Sequence, residues 1–256
     1  MKVLAVSESF LPGRDGGGPV RALHNLSAHL PEECQLSILT RNRDYLHPET
    51  YPDLPSDQWI EGEHSGICYA SDSRWWAIYR NSIREWKPDW IYLNGLFAPM
   101  SRKILGNRSG LEKFVLAPHG NLGPAALNKG KFKKKIWLWQ ACRRGYFNQV
   151  RWHAASEREA AQIRRNVDQN AEILTVPMAP ASMQEPWGPD DVEEMKSKDG
   201  LRLVYFGRLS SEKNLDFALQ CLRDFAREQP GIRVNYDIYY IGPRAPHLEA
   251  RAREIG

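Results

Sequence analysis

Residues 1–40 read MKVLAVSESF LPGRDGGGPV RALHNLSAHL PEECQLSILT, and the fold class follows from this stretch. Val3, Leu4, Ala5 and Val6 make an apolar run of strand length within residues 1–10. Gly16-Gly17-Gly18-Pro19 comes next, and Val20, Leu23, Leu26 and Leu30 then recur at the spacing of one helix face. Pro19 falls in the first turn of that helix, where its missing N–H costs nothing. A second apolar run over 35–40 carries Leu36, Ile38 and Leu39. Strand, glycine loop, helix and strand in this order form a βαβ unit.

The same pattern continues outward. Short apolar runs at 66–70, 89–94, 113–118, 152–155 and 173–176 are predicted strands. A helical pattern over 75–86 stops at Lys87-Pro88, and a second covers 156–167, where Ser156 and Glu159 make a capping box. Alternation of this kind predicts an α/β fold with a doubly wound parallel sheet over residues 1–180. Pro180, Pro186, Gly188 and Pro189 mark a linker over 181–200, with a short helix near 190–196. The pattern then restarts with a strand at 201–206, a polar loop at 207–213, a helix at 215–228, a strand at 234–241 and a helix at 248–255. Two strands cannot cover both faces of a parallel sheet, so 201–256 is expected to be the first part of a larger domain in a carboxy-terminally truncated chain.

Composition narrows the function classes. Cys34, Cys68, Cys142 and Cys221 are isolated, which suggests neither a zinc site nor a disulfide framework and fits a reducing, cytoplasmic setting. No apolar run approaches the ~20 residues of a membrane span. The net charge of +4 is modest but uneven, with Lys129, Lys131, Lys133, Lys134, Lys135, Arg143 and Arg144 crowded together. Phe132, Ile136 and Trp139 share that segment, making an amphipathic helix with a cationic flank. Lys129–Arg144 either makes a peripheral contact with anionic lipid at the inner face of the membrane or packs on the sheet with its lysines in water. Nucleic acid is the weaker partner, because no recognition motif accompanies the charge.

Three places carry candidate chemistry. The glycines Gly16, Gly17 and Gly18 let backbone N–H groups approach an anion or a sugar hydroxyl, or else serve a tight turn. The dinucleotide fingerprint is unmet, because Arg21 stands at its third glycine position. His119, in Pro118-His119-Gly120, follows a predicted strand at the end where open sheets bind ligands; it either meets a substrate or caps the next helix. Arg208 and Lys213 flank Leu209-Ser210-Ser211-Glu212 at a helix start. There they either clamp a diphosphate or form a solvated pair around Glu212.

Together these motifs resemble glycosyltransferase family 4. The resemblance rests on Phe10-Leu11-Pro12 with Gly16-Gly17-Gly18-Pro19, on Pro118-His119-Gly120-Asn121-Leu122, and on Ala154 to Glu159. Its most specific part is Tyr205-Phe206-Gly207-Arg208-Leu209-Ser210-Ser211-Glu212-Lys213-Asn214. It implies a GT-B fold of two Rossmann-like domains and a retaining transfer from a nucleotide-sugar donor to a glycan or lipid-linked acceptor, in polysaccharide or glycolipid biosynthesis, without a metal. By the same resemblance Gly16, Gly17 and Gly18 lie beneath the donor diphosphate or the acceptor, His119 touches the transferred sugar, and Arg208 and Lys213 neutralise the leaving diphosphate. Met178-Ala179-Pro180 departs from the family's Asn-Gly, and the family's Glu-x7-Glu segment would lie beyond Gly256. An inactive relic or a binding module lacking that donor site is the alternative reading.

Overall fold

The apolar run at the amino terminus becomes the middle of an eight-stranded sheet. β1 (Lys2–Ser7) pairs in parallel with β2 (Gln35–Arg41) on one side and β5 (Trp90–Asn94) on the other. The remaining strands are β3 (Trp59–Glu61), β4 (Gly66–Ala70), β6 (Phe114–Ala117), β7 (Val150–Ala154) and β8 (Ile173–Thr175). Their order is β3-β4-β2-β1-β5-β6-β7-β8, and only β3 runs antiparallel to its neighbour. The computed structural model describes residues 1–45, 47–61, 66–108, 112–128, 130–181, 200–208 and 213–241, without the side chains of Lys131, Arg208, Tyr240 and Ile241.

Alternate residues of each strand enter two cores. Leu4, Val6, Leu39, Ile91, Leu93, Phe114, Leu116 and Trp152 face one side. They are covered by α2 (Trp75–Asn81), α3 (Pro99–Gly106), α5 (Lys131–Arg143) and α6 (Glu157–Asn166), with Leu127 of the short α4 (Pro124–Asn128). Ala5, Leu36, Ile38 and Tyr92 face the other side, against Val20 and Leu23 of α1 (Gly18–His29). The chain lays β2 and β4 outward from one edge of β1, then returns to place β5 on its other edge. β1 and β5 therefore flank the topological switch point, where the carboxyl ends of the strands open a crevice.

Local differences from the sequence expectations have physical causes. The helix predicted over 75–86 stays α-helical only to Asn81 and winds on as a π-helical turn, Ser82–Trp86. Ser82 Oγ donates to the Ile78 carbonyl at 2.9 Å, and Lys87 closes the turn in the left-handed region at φ 52°, its N–H donating to the Ser82 carbonyl at 3.2 Å. The predicted capping box at Ser156 is half formed. Ser156 Oγ accepts the Glu159 N–H at 3.2 Å, but the Glu159 carboxylate does not return to Ser156. α5 is not singly amphipathic as expected, because Leu138 and Ala141 are its buried residues whereas Phe132, Ile136 and Trp139 are exposed.

The chain divides into two compact units, Met1–Ser182 and Met183–Gly256. Of the linker expected over 181–200, residues 182–199 lie outside the described residues, as do the helices predicted at 190–196 and 248–255. In the second unit β9 (Leu201–Arg208) and β10 (Val234–Ile241) pair in parallel, and α7 (Leu215–Glu228) seats Leu215 and Leu219 on Tyr205, Tyr236 and Ile238. The strand predicted over 201–206 runs on through Arg208, which pairs with Ile241. The other face of this ribbon shows Val204, Phe206 and Tyr239 to water, Phe206 at 87% exposure. An apolar face of this kind favours association. Val204→Thr with Phe206→Ser is expected to lower both concentration-dependent sedimentation and anilinonaphthalene sulfonate fluorescence of the purified chain; unchanged values for both would mean the face is covered.

Candidate functional site

The site grows from the ends of β1 and β5, where Ser7 and Asn94 are register partners. Both are buried. Asn94 Nδ2 donates to Ser7 Oγ at 3.0 Å and to the Pro19 carbonyl at 3.1 Å. A carbonyl only accepts, so the amide nitrogen must face Pro19, and Oδ1 faces His119 Nε2 at 2.5 Å. The imidazole therefore donates from Nε2. Ser7 Oγ in turn donates to the Ser9 carbonyl at 2.8 Å, so each group in this buried chain has a partner.

His119 sits just past β6 with φ 50°, followed by Gly120 at φ 74°. A histidine in the left-handed region is strained by about 1 kcal/mol and persists only where its surroundings hold it. Glu159, buried at the start of α6, does so. Its Oε1 accepts the Gly120 N–H at 2.6 Å and its Oε2 accepts the Ala155 N–H at 2.8 Å. Burial is the main cause that pushes the His119 pKa down to about 4, against the upward pull of Glu159, with His153 adding to the fall. The ring is neutral at pH 7. With Nε2 donating, Nδ1 carries a lone pair, and it has no hydrogen-bond partner among the described residues.

The glycine triplet lies beside Pro19 in the same network, and each glycine answers a different need. A Cβ on Gly16 would collide with Ser9 Oγ and Val20 Cγ2. Gly17 adopts φ 65° and ψ −137°, a region closed to other residues, and no side chain caps the helix that begins after it. A Cβ on Gly18 would meet nothing within 4 Å. The loop ahead of the triplet is held by Asp44, whose carboxylate accepts the N–H groups of Arg14, Asp15 and Tyr45 at 2.7, 3.1 and 2.6 Å. Burial works to raise the Asp44 pKa, but these bonds outweigh it and hold the carboxyl below its usual range.

Asn94 thus links His119 to the carbonyl of Pro19, the residue that follows Gly16, Gly17 and Gly18, within the first unit. Arg208 and Lys213 belong to the second unit. Arg208 ends β9 rather than standing in the loop, residues 209–212 lie outside the described residues, and Lys213 is exposed two residues before α7. Asn94, Glu159 and Asp44 were not among the candidates from sequence. Asn94-Gly95 at the end of a predicted strand is the one signal that pointed to the first of them. Among the described residues no cluster of three or more His, Cys, Asp or Glu could hold a metal ion.

No family model and no curated protein sequence matches the chain. Solved structures do match it. Sucrose-phosphate synthase from Thermosynechococcus elongatus superposes with a TM-score of 0.63 at 12% identity, over 99% of this chain and 67% of that one. A UDP-forming α,α-trehalose-phosphate synthase from Burkholderia xenovorans gives 0.61 at 12% identity, over 99% and 69%. The N-terminal domain of trehalose-6-phosphate phosphatase from Candida albicans gives 0.58 at 13% identity, over 99% and 68%. The fold is GT-B-like. At these identities the likeness shows the fold and leaves the chemistry to the residues.

Glu159→Gln tests the clamp. A carboxamide keeps the shape but loses one acceptor, leaving Gly120 or Ala155 facing an NH2 donor, so urea unfolding should show a loss of ~2 kcal/mol or more. For His119 the folded pKa lies below the unfolded 6.5, so its neutral form costs nothing above that pH. Stability is then lost as pH falls from about 6.5 toward 4, by about 2–3 kcal/mol at the acid end. His119→Asn should remove that increment, seen as a flatter difference between unfolding at neutral and acid pH. Equal pH dependence in both proteins would overturn the burial account.

Proposed function

We propose that the chain belongs to a retaining glycosyltransferase of family 4 that moves a sugar from a nucleotide-sugar donor to a glycan or lipid-linked acceptor, in polysaccharide or glycolipid biosynthesis in the cytoplasm. The observation that carries this reading is the neutral His119 held by Asn94 beside the glycine loop, at the switch point of a GT-B-like fold. One of the solved neighbours is a UDP-forming synthase, which motivates a nucleoside diphosphate as the leaving group.

In the proposed reaction the bond between the anomeric carbon and the donor's diphosphate oxygen breaks, and the acceptor oxygen bonds that carbon while its proton passes to the departing diphosphate oxygen. Charge develops on the diphosphate as it leaves. Arg208 and Lys213 are assigned to that charge, the guanidinium as a planar fork and the ammonium as a point charge. No metal is assigned to the reaction. His119, neutral at working pH, is a poor proton donor. Its role is to accept a hydroxyl of the transferred sugar at Nδ1, with Asn94 fixing the tautomer. Gly18 lies where a ligand can come close to the backbone, since a methyl there touches nothing of the protein.

The test is turnover of UDP-, GDP- and ADP-sugars, read as donor hydrolysis or transfer. Arg208→Ala should cut it at least ~100-fold, the scale of losing one charge-stabilising contact. Gly18→Ala should leave the unfolding midpoint unchanged while weakening nucleotide-sugar binding in calorimetry. Wild-type rates in Arg208→Ala would remove the residue from its role. A wild-type chain that neither binds nor turns over any of the three donors would favour the non-catalytic reading.

A further inference from the structure

α5 is apolar on two opposite sides, which an ordinary surface helix is not. One side enters the core through Leu138 and Ala141, with Trp137 edge-on to Phe97 and Phe147 at ring distances of 5.7 and 6.1 Å. The opposite side carries Phe132, Ile136 and Trp139 at positions i, i+4 and i+7, so they stand in one row along the helix. They are 75, 54 and 61% exposed. Single exposed apolar side chains are common, but three large ones aligned on one ridge mark an interaction surface.

Cations rim the ridge. Lys133 and Lys135 are exposed on its two flanks, and Arg143 extends it one turn beyond Trp139, its guanidinium 5.6 Å from that ring's centre. Lys134, by contrast, turns inward to the Ala126 carbonyl and lies over Phe97. Among the described residues Lys133, Lys135 and Arg143 form no ion pair with a carboxylate. The sequence explains why, since no Asp or Glu occurs between Glu112 and Glu157. The outer ridge of this helix therefore carries cations on its flanks and no carboxylate of its own.

We infer that the outer ridge of α5 docks the first unit on an anionic lipid surface, with Phe132, Ile136 and Trp139 entering the interface and Lys133, Lys135 and Arg143 meeting lipid phosphates. Charge complementarity chooses this occupant. An apolar ridge with cations on both flanks matches a surface that is apolar beneath and uniformly negative above, and indole is favoured at that boundary. A nucleic acid would offer phosphates to the lysines but nothing for Ile136 at the centre. No helix of the described residues is long and apolar enough to cross a membrane, so the contact is a docking in the plane of the surface. The inference deepens the transferase reading, since it would carry the acceptor-side unit to where a lipid-linked acceptor resides.

The test is flotation of the purified chain with vesicles of phosphatidylcholine alone and of an equimolar phosphatidylcholine–phosphatidylglycerol mixture, at low and high salt. Binding should be at least ~10-fold tighter on the anionic vesicles at low salt, because each cation near the surface contributes roughly fivefold, and should weaken as salt rises. Phe132→Ser, Ile136→Ser and Trp139→Ser together should reduce binding at least ~10-fold at both salts. Lys133→Gln, Lys135→Gln and Arg143→Gln together should abolish only the preference for anionic lipid. All six side chains are exposed, so circular dichroism and unfolding midpoints should match wild type. No binding to anionic vesicles at low salt, or full binding by the serine variant, would overturn the inference. So would a dimer that the serine variant dissociates, or ridge-dependent capture of an oligonucleotide. A chain that floats but binds no nucleotide-sugar keeps the docking and loses the transferase reading; the converse result loses only the docking.

Discussion

The amide of Asn94 has one donor end and one acceptor end, and the first unit is built so that both are used. Its NH2 is claimed by the Pro19 carbonyl and Ser7 Oγ, and this leaves only oxygen to meet His119. The orientation of one buried side chain thereby ties together the end of β1, the end of β5, the first turn of α1 and the loop after β6. An aspartate at this position would fill the same space and fail electrostatically. Its carboxylate would oppose the Pro19 carbonyl and would pull the His119 pKa upward, against the burial that keeps the ring neutral.

In the proposed reaction a neutral ring and fixed cations divide the work of glycosyl transfer. Polar recognition of a sugar needs directional acceptors, and a desolvated imidazole with one nitrogen committed offers one such lone pair. Charge on a departing diphosphate needs permanent cations, the part that the proposed reaction assigns to Arg208 and Lys213. The buried Glu159 stands between these tasks. It is close enough to bias His119 electrostatically, yet both of its oxygens are bound to backbone N–H groups, so it serves as a clamp for the loop.

Much of the scaffold was legible because parallel strands buried on both faces leave continuous apolar runs, and because Gly16-Gly17-Gly18-Pro19 punctuates the first crossover. What escaped the reading depended on contacts distant in sequence. Ser156 and Glu159 read as a reciprocal local cap, whereas the carboxylate reaches Gly120, which only the pairing of β7 with β6 brings near α6. Asn94 read as the end of a strand, and its function emerges only when register sets it against Ser7. For α5 the spacing of Phe132, Ile136 and Trp139 satisfied a helical period, but so did Trp137, Leu138 and Ala141, and tertiary packing chose the second set. Arg208 read as a loop residue until β10 extended the pairing to Ile241. Of the candidate site, the glycines and His119 were visible as motifs, while their connection was not.

The central place of β1 has a bearing on how the protein is made. Its partners are β2 and β5, and Lys2 and Asp89 lock the second pairing by an exchange of backbone and side-chain bonds at 2.8 and 2.7 Å. During synthesis β1 gains one neighbour soon after it leaves the ribosome, and its other edge stays open until Trp90–Asn94 has been translated. An edge of Val3, Leu4, Ala5 and Val6 left unpaired for that interval is a template for wrong pairing, and a slow patch of codons before residue 90 would lengthen the interval.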